Sequence, residues 1–290
     1  MDENKTLLKR IGCSADPAGI FSYDPDRTLD LRDEGLKTED GISIHDVSFA
    51  GLAQERIRAF LVEPKGEHPC AGILFVHPGP GDRSTFLEEA KELAGLGAAC
   101  LLIDAPWADG AAFGRRAMSS SEVELRTWYI QIATDLRRSV DLLTRCPHVD
   151  PGRISYVGHS SGALFGGILA GVEKRISSFV LMAGVGSFTD VAVLNIPTLT
   201  GEPLEKFRIT LDPIDPVHYI GYAPPAAIFF QFGNQDHFYP RQKFIDFYSA
   251  ARDPKSIRWY DAGHYLDAAA RIDRIDWLKA QLNLATGIPR

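Results

Sequence analysis

Apolar residues from Ile42 onward gather in eight short runs, and the spacing within and between those runs sets the expected fold. Ile42, Ile44, Val47 and Phe49, then Ile57, Ala59 and Leu61, follow the near-alternating pattern of half-buried strands. Gly51 between them predicts an antiparallel hairpin. Residues 71–77 (AGILFVH) and 98–103 (AACLLI) are almost continuously apolar, as strands covered on both faces are. Four further β-rich runs follow: 153–157 (RISYV), 178–183 (SFVLMA), 226–232 (AAIFFQF) and 256–260 (SIRWY). Between the runs the period lengthens to that of helices. Residues 84–96 carry Phe86, Leu87, Ala90, Leu93 and Ala94 on one side. Ser121 and Glu124 have capping-box spacing and open a stripe of Leu125, Tyr129, Ile132, Leu136, Val140 and Leu143 that faces a sheet. Ala163, Leu164, Phe165 and Ile168 predict another helix, Phe244–Tyr248 a further one, and Ile272, Ile275, Leu278 and Leu282 a closing one. Strands alternating with helices imply βαβ units, so the expected architecture is α/β: a mostly parallel eight-stranded sheet flanked by helices.

Two stretches stand outside this pattern. Residues 1–41 are mixed, with turn signals at Asp16-Pro17 and Asp24-Pro25 and a short helix expected near 28–35; they are read as an extension packed on a domain formed by 42–290. Residues 187–225 hold scattered prolines and little periodicity beyond Val191–Leu194. A segment of that length between two strands, leaving and re-entering at the same sheet edge, predicts a lid insertion.

Composition narrows the classes. A 290-residue chain with a net charge of −7 and no basic cluster argues against nucleic-acid binding. No apolar run approaches membrane-spanning length and the charged N-terminus lacks a signal-peptide core, so a cytoplasmic protein without membrane insertion is expected. Cys13, Cys70, Cys100 and Cys146 are widely spaced and read as thiols, neither a disulfide framework nor a metal site. The eight histidines have no metal-ligand spacing, and no metal is expected. Association into a homo-oligomer is left open.

The chemistry centres on Gly158-His159-Ser160-Ser161-Gly162, a G-x-S-x-G pattern between a strand and a helix. A serine on such a turn is pushed out at the carboxyl edge of the sheet, where it can act as a nucleophile if a base lies beside it. Asp236 follows the strand 226–232 and His264 follows the strand 256–260, which brings both to that same edge in the order Ser, Asp, His. A triad of Ser160, Asp236 and His264 is the expected catalytic set.

The blocks LFVHPGPGDR, RISYVGHSSGA, FGNQDHFYP and DAGHYL, with DLRRSVDLL ahead of VDPGRISYVG, resemble the α/β-hydrolase superfamily. More narrowly they are similar to the dienelactone-hydrolase, acetylxylan-esterase and prolyl-oligopeptidase catalytic-domain group. The resemblance runs from about residue 42 to the end and implies an α/β-hydrolase fold. Dienelactone hydrolase carries cysteine as its nucleophile and this chain carries Ser160; the prolyl-oligopeptidase group adds a propeller for which 290 residues leave no room.

In that setting two backbone amides form an oxyanion hole, one from the residue after the nucleophile and one from the loop after the strand 71–77. The first is Ser161. The loop reads His77-Pro78-Gly79-Pro80-Gly81, whose prolines have no N–H, so Gly79 is the second candidate and Gly81 the fallback. Trp107, Phe113 and His159 are the candidate substrate contacts, with Trp107 and Phe113 alternatively core and His159 alternatively a packed or hydrogen-bonded residue of the elbow. His77 is read as bracing its own loop, His237 as non-catalytic, Asp104 as a turn cap or displaced acid, and Asp212 and Asp215 as turn formers. The expected function is hydrolysis of a small carboxylic ester through an acyl-enzyme, with no cofactor. Amide or thioester hydrolysis or carbon–carbon cleavage on the same triad, and a non-catalytic ligand-binding role, are the alternatives.

Overall fold

The computed structural model describes residues 19–52, 56–66 and 68–284. Its strands are β1 (Arg32–Glu39), β2 (Ile42–Ala50), β3 (Arg56–Glu63), β4 (Cys70–Val76), β5 (Ala98–Ile103), β6 (Val149–His159), β7 (Ile176–Met182), β8 (Ala227–Gly233) and β9 (Lys255–Tyr260). They form one sheet in the order β1-β2-β3-β5-β4-β6-β7-β8-β9. β1, β2 and β3 pair antiparallel, β3 joins β5 antiparallel, and every later pairing is parallel. The chain passes from β5–β4 to β6 and onward by helical crossovers, which places β6 and the residues following it at the middle of the carboxyl edge.

The helices are α1 (Leu87–Gly95), α2 (Gly110–Ser119), α3 (Glu122–Arg145), α4 (Ser161–Val172), α5 (Phe188–Asn195), α6 (Gly201–Leu211), α7 (Arg241–Ala250) and α8 (Ala268–Leu282). The sheet separates two apolar cores, and the period-two rule divides its side chains between them. Leu74, Val76, Tyr156, Phe179 and Leu181 pack with α3 and α4, whereas Ile73, Phe75, Val157 and Val180 pack with α1 and α8. The capping box expected at α3 is formed: Glu124 N–H donates to Ser121 Oγ at 3.3 Å and Ser121 N–H to Glu124 Oε2 at 2.8 Å. On α8, Ile275, Leu278 and Leu282 are buried but Ile272 faces out.

Three expectations change. Among the described residues the sheet has nine strands, because residues 32–39 form an edge strand where the sequence predicts a short helix near 28–35. All eight residues of β1 are exposed, so no hydrophobic period marks it; the β2 ladder and a 2.8 Å pairing of Asp33 Oδ2 with His45 Nδ1 hold it. A charged, solvated edge strand also discourages pairing with another chain. The stretch 187–225 is largely helical: α5 and α6 are followed by 3₁₀ turns at Asp212–Ile214, Pro216–His218 and Ile220–Tyr222. Its later part is core, with Leu211, Ile214 and Ile220 fully buried; a Cβ on Gly171 of α4 would sit 2.5 Å from the Tyr219 carbonyl oxygen.

Residues 19–31 are tied to α3 by its arginines. Arg138, fully buried, donates to the carbonyls of Arg27 at 2.8 Å and Thr28 at 3.1 Å, and Arg137 to that of Phe21 at 2.9 Å. The rest of the N-terminal extension and Cys13 lie outside the described residues; Cys70, Cys100 and Cys146 are free thiols. No helix among the described residues is long and apolar enough to cross a membrane.

Candidate active site

Ser160 sits between β6 and α4 with φ 53° and ψ −110°, a conformation L-residues rarely adopt and one associated with functional strain. The turn is fixed by close approach. A Cβ on Gly162 would lie 2.2 Å from the Val76 carbonyl oxygen and one on Gly158 would lie 2.5 Å from the Gly162 oxygen, so neither position admits a side chain. Ser160 N–H donates to the Met182 carbonyl at 2.8 Å, which anchors the turn to the end of β7. Ser161 is the first residue of α4, where backbone N–H groups lack intrahelical partners and the helix dipole favours negative charge.

The loops after β8 and β9 are joined by their backbones. Asn234 N–H donates to the Tyr260 carbonyl at 2.8 Å and Gln235 N–H to that of Ala262 at 2.9 Å. This brings Asp236 against His264, whose Nδ1–H donates to Asp236 Oδ2 at 2.7 Å. The second carboxylate oxygen accepts from Phe238 N–H at 2.9 Å. With both oxygens engaged the carboxylate is held in one orientation, and the neutral imidazole is held as the tautomer whose Nε2 accepts. The Asp236 side chain is 1% exposed and that of His264 7%. His159 lies beneath: its Nε2–H donates to the His264 carbonyl at 2.8 Å, and its ring centroid is 5.2 Å from that of His264. Burial, reinforced by the neighbouring His264, pushes the His159 pKa down to about 3, so it stays neutral.

The loop after β4 is braced by His77. Its Nδ1–H donates to the Pro78 carbonyl at 2.7 Å and its Nε2 accepts from Ala105 N–H at 3.0 Å, which fixes its tautomer. Burial lowers its pKa, keeping it neutral for both bonds. Trp107 Nε1–H donates to the His77 carbonyl at 3.1 Å. A Cβ on Gly79 would contact Trp107 at 3.4 Å and Ser161 Oγ at 3.5 Å, so Gly79 lies beside the serine turn. Gly81 instead faces Pro78, Thr85 and His77.

A cleft of about 490 Å³, including its open mouth, reaches Ser160 and Ser161. Trp107, Phe113, Tyr129, Phe165, Phe188 and Tyr239 form its aromatic walls. Among the described residues no group of three or more His, Cys, Asp or Glu side chains could hold a metal ion.

The alpha/beta hydrolase family model matches residues 73–284, from β4 through α8. The chain belongs to this family. An uncharacterised protein of Mycobacterium tuberculosis is 31% identical over 185 residues, 63% of this chain and 58% of that protein, so the match spans under two thirds of that relative. Among solved structures, an acetyl xylan esterase from Paenibacillus sp. R4 superposes with a TM-score of 0.75 at 20% identity, covering 91% of this chain and 92% of its own. Acetyl xylan esterase 1 from Thermoanaerobacterium sp. JW/SL YS485 gives 0.73 at 16% identity, covering 93% and 94%. A glucuronoyl esterase from Solibacter usitatus gives 0.66 at 12% identity, covering 92% of each. At these identities the likeness is one of fold.

Within this α/β-hydrolase, the structure joins Asp236 to His264 and sets Gly79 beside Ser161. Trp107 and Phe113 lie in the cleft wall with Ser160. His159 takes the packed, hydrogen-bonded place of the elbow and not that of a substrate contact. It is buried, outside the cleft lining, and committed to the His264 backbone. Asp104 accepts from Arg83 N–H at 2.9 Å and so fastens the loop after β4. Arg83 in turn forms a bidentate pair with Asp46 at 2.6 and 2.9 Å. Asp215 accepts from Phe188 N–H at 2.7 Å at the start of α5, and Asp212 pairs with His218 at 3.2 Å. The sequence reading missed Tyr129, Phe165, Phe188 and Tyr239 as cleft residues; Tyr129 and Phe165 carried only the helical apolar spacing that marks core positions.

Proposed function

We propose that this protein is a serine ester hydrolase acting on a small carboxylic ester. Ser160 Oγ attacks the ester carbonyl, and His264 Nε2 takes its proton and passes it to the leaving alcohol. Water then attacks the acyl-enzyme by the same route in reverse roles. Asp236 holds the imidazole tautomer and stabilises the imidazolium. The backbone amides of Ser161 and Gly79 face the tetrahedral oxyanion, where dipoles fixed in advance lower the barrier most. The reading needs no cofactor, since each step is a proton transfer or an acyl transfer.

The observation that carries this reading is the 2.7 Å bond from His264 Nδ1–H to Asp236 at the edge where Ser160 occupies its strained turn. The structural relatives named as esterases favour ester over amide as the first substrate class to try. A fluorophosphonate probe should label Ser160, located by peptide mass mapping, and the protein should hydrolyse p-nitrophenyl esters; Ser160→Ala should abolish both. Wild-type protein that is neither labelled nor active on any ester, thioester or amide would overturn it.

A further inference from the structure

His264 must hand its proton to the leaving alcohol, so the alcohol lies on the imidazole side of Ser160. The cleft reaches Ser160 and Ser161, yet neither His264 nor Asp236 lines it. The group that enters the cleft is therefore the acyl part. On the other side the surface is open: Phe238, its ring 4.5 Å from that of His264, is 47% exposed, and Tyr265 is 61% exposed.

The cleft walls are flat rings that hold one another. Trp107 stacks on Phe165 at 5.4 Å, Tyr129 stacks on Phe188 at 4.5 Å, and Tyr129 meets Phe165 edge-on at 5.9 Å. Walls fixed in this way form a slot that accepts a planar apolar group at little ordering cost. Among the described residues no charged side chain lines the slot. The Tyr129 hydroxyl makes no hydrogen bond to any described residue, and burial raises its pKa, so it remains a donor. Tyr129 thus places an unpaired donor on the cleft wall, and an acceptor on the ligand would give it a fixed partner in place of water.

We infer that the slot is an acyl pocket for an aromatic acid bearing a hydrogen-bond acceptor on its ring, with Tyr129 as the residue that reads the acceptor. This rests on the serine-esterase reading. The alcohol side, being open, discriminates little.

The test compares p-nitrophenyl acetate, benzoate and 4-methoxybenzoate, each kcat/KM divided by that ester's alkaline hydrolysis rate. Benzoate should exceed acetate. The methoxy ester should exceed benzoate by about tenfold, the worth of one buried hydrogen bond, and Tyr129→Phe should bring that last ratio close to one. Wild-type enzyme that prefers acetate, or gains nothing from the methoxy group, would overturn the pocket assignment. A methoxy preference that survives in Tyr129→Phe would overturn the role of Tyr129. Both failures are separable from failure of the esterase reading, because Ser160 would still be labelled by the fluorophosphonate. Absence of labelling and of turnover on all three esters would sink both together.

Discussion

His159 donates its Nε2–H to the carbonyl oxygen of His264 at 2.8 Å, so the residue next to the proposed nucleophile holds the backbone of the proposed base. That bond ties the loop after β9 to the serine turn through the donor Nε2–H of His159. His159 is thus a positioning residue. His159→Ala should lower kcat about tenfold with a smaller change in KM, since misplacing a base costs mostly in the transition state. His159→Gln, which keeps a donor, should recover part of the loss. Equal activity in the alanine variant and the wild type would show that the bond does not position the base.

Ser160, His264 and Asp236 should behave as one unit. Ser160→Ala, His264→Ala and the double variant should fall to a similar floor, because each removes the same step. Asp236→Asn should lose about 10³–10⁴-fold in kcat by stabilising the wrong tautomer of His264. Asp104→Asn should keep most activity, because its Oδ1 acceptor for Arg83 N–H is retained. A fully active Asp236→Asn enzyme would move the acid elsewhere.

The parallel part of this fold was legible because its strands are covered on both faces and stay apolar along their length, as Ile73–Val76 and Ala98–Ile103 do. β1 was not legible, since a strand solvated on both faces carries no period to read. The short helices of 187–225 escaped for a related reason. Six prolines interrupt the segment, and its buried anchors are split between α6 (Phe207, Leu211) and two 3₁₀ turns (Ile214, Ile220). At the site, Ser160, Asp236 and His264 each follow their own strand, so edge position alone nominated them. The true surroundings of His159 depend on a loop 105 residues away, which no local pattern encodes. Tyr129 lies on the helical stripe of α3, and a stripe facing a sheet has the same period as one that also borders a cleft.

His77 should matter to the oxyanion rather than to proton transfer. It ties the Pro78 carbonyl to the Ala105 amide through one neutral ring, and Trp107 clamps its carbonyl from the other side. Losing an oxyanion donor outright costs about 3 kcal/mol, so loosening the loop that carries Gly79 should cost less. His77→Gln should therefore lower kcat about tenfold while KM moves little. A KM effect alone would place His77 in substrate binding instead.

Two buried groups should tilt stability with pH in opposite directions. Burial raises the Asp215 pKa from 3.8 to about 7, so the fold favours its protonated form. The stability this contributes is complete below pH 3.8 and is lost as pH rises to 7. Burial lowers the His159 pKa from 6.5 to about 3, so its contribution is complete above pH 6.5 and is lost as pH falls toward 3. Between pH 3.8 and 6.5 the two slopes oppose each other, and above pH 7 only the deficit from the charged, buried Asp215 remains. Asp215→Asn removes that charge and retains a carbonyl oxygen to accept from Phe188 N–H at the start of α5. The variant should be more stable than wild type at pH 8 by about 2–4 kcal/mol, since a tenfold change in proton affinity between the folded and unfolded chain is worth about 1.4 kcal/mol. The gap should close as pH falls toward 4. Urea unfolding midpoints at pH 4, 6 and 8 measure it. A gap that stays constant across that range would mean that Asp215 does not titrate in the window and that the asparagine acts through packing alone.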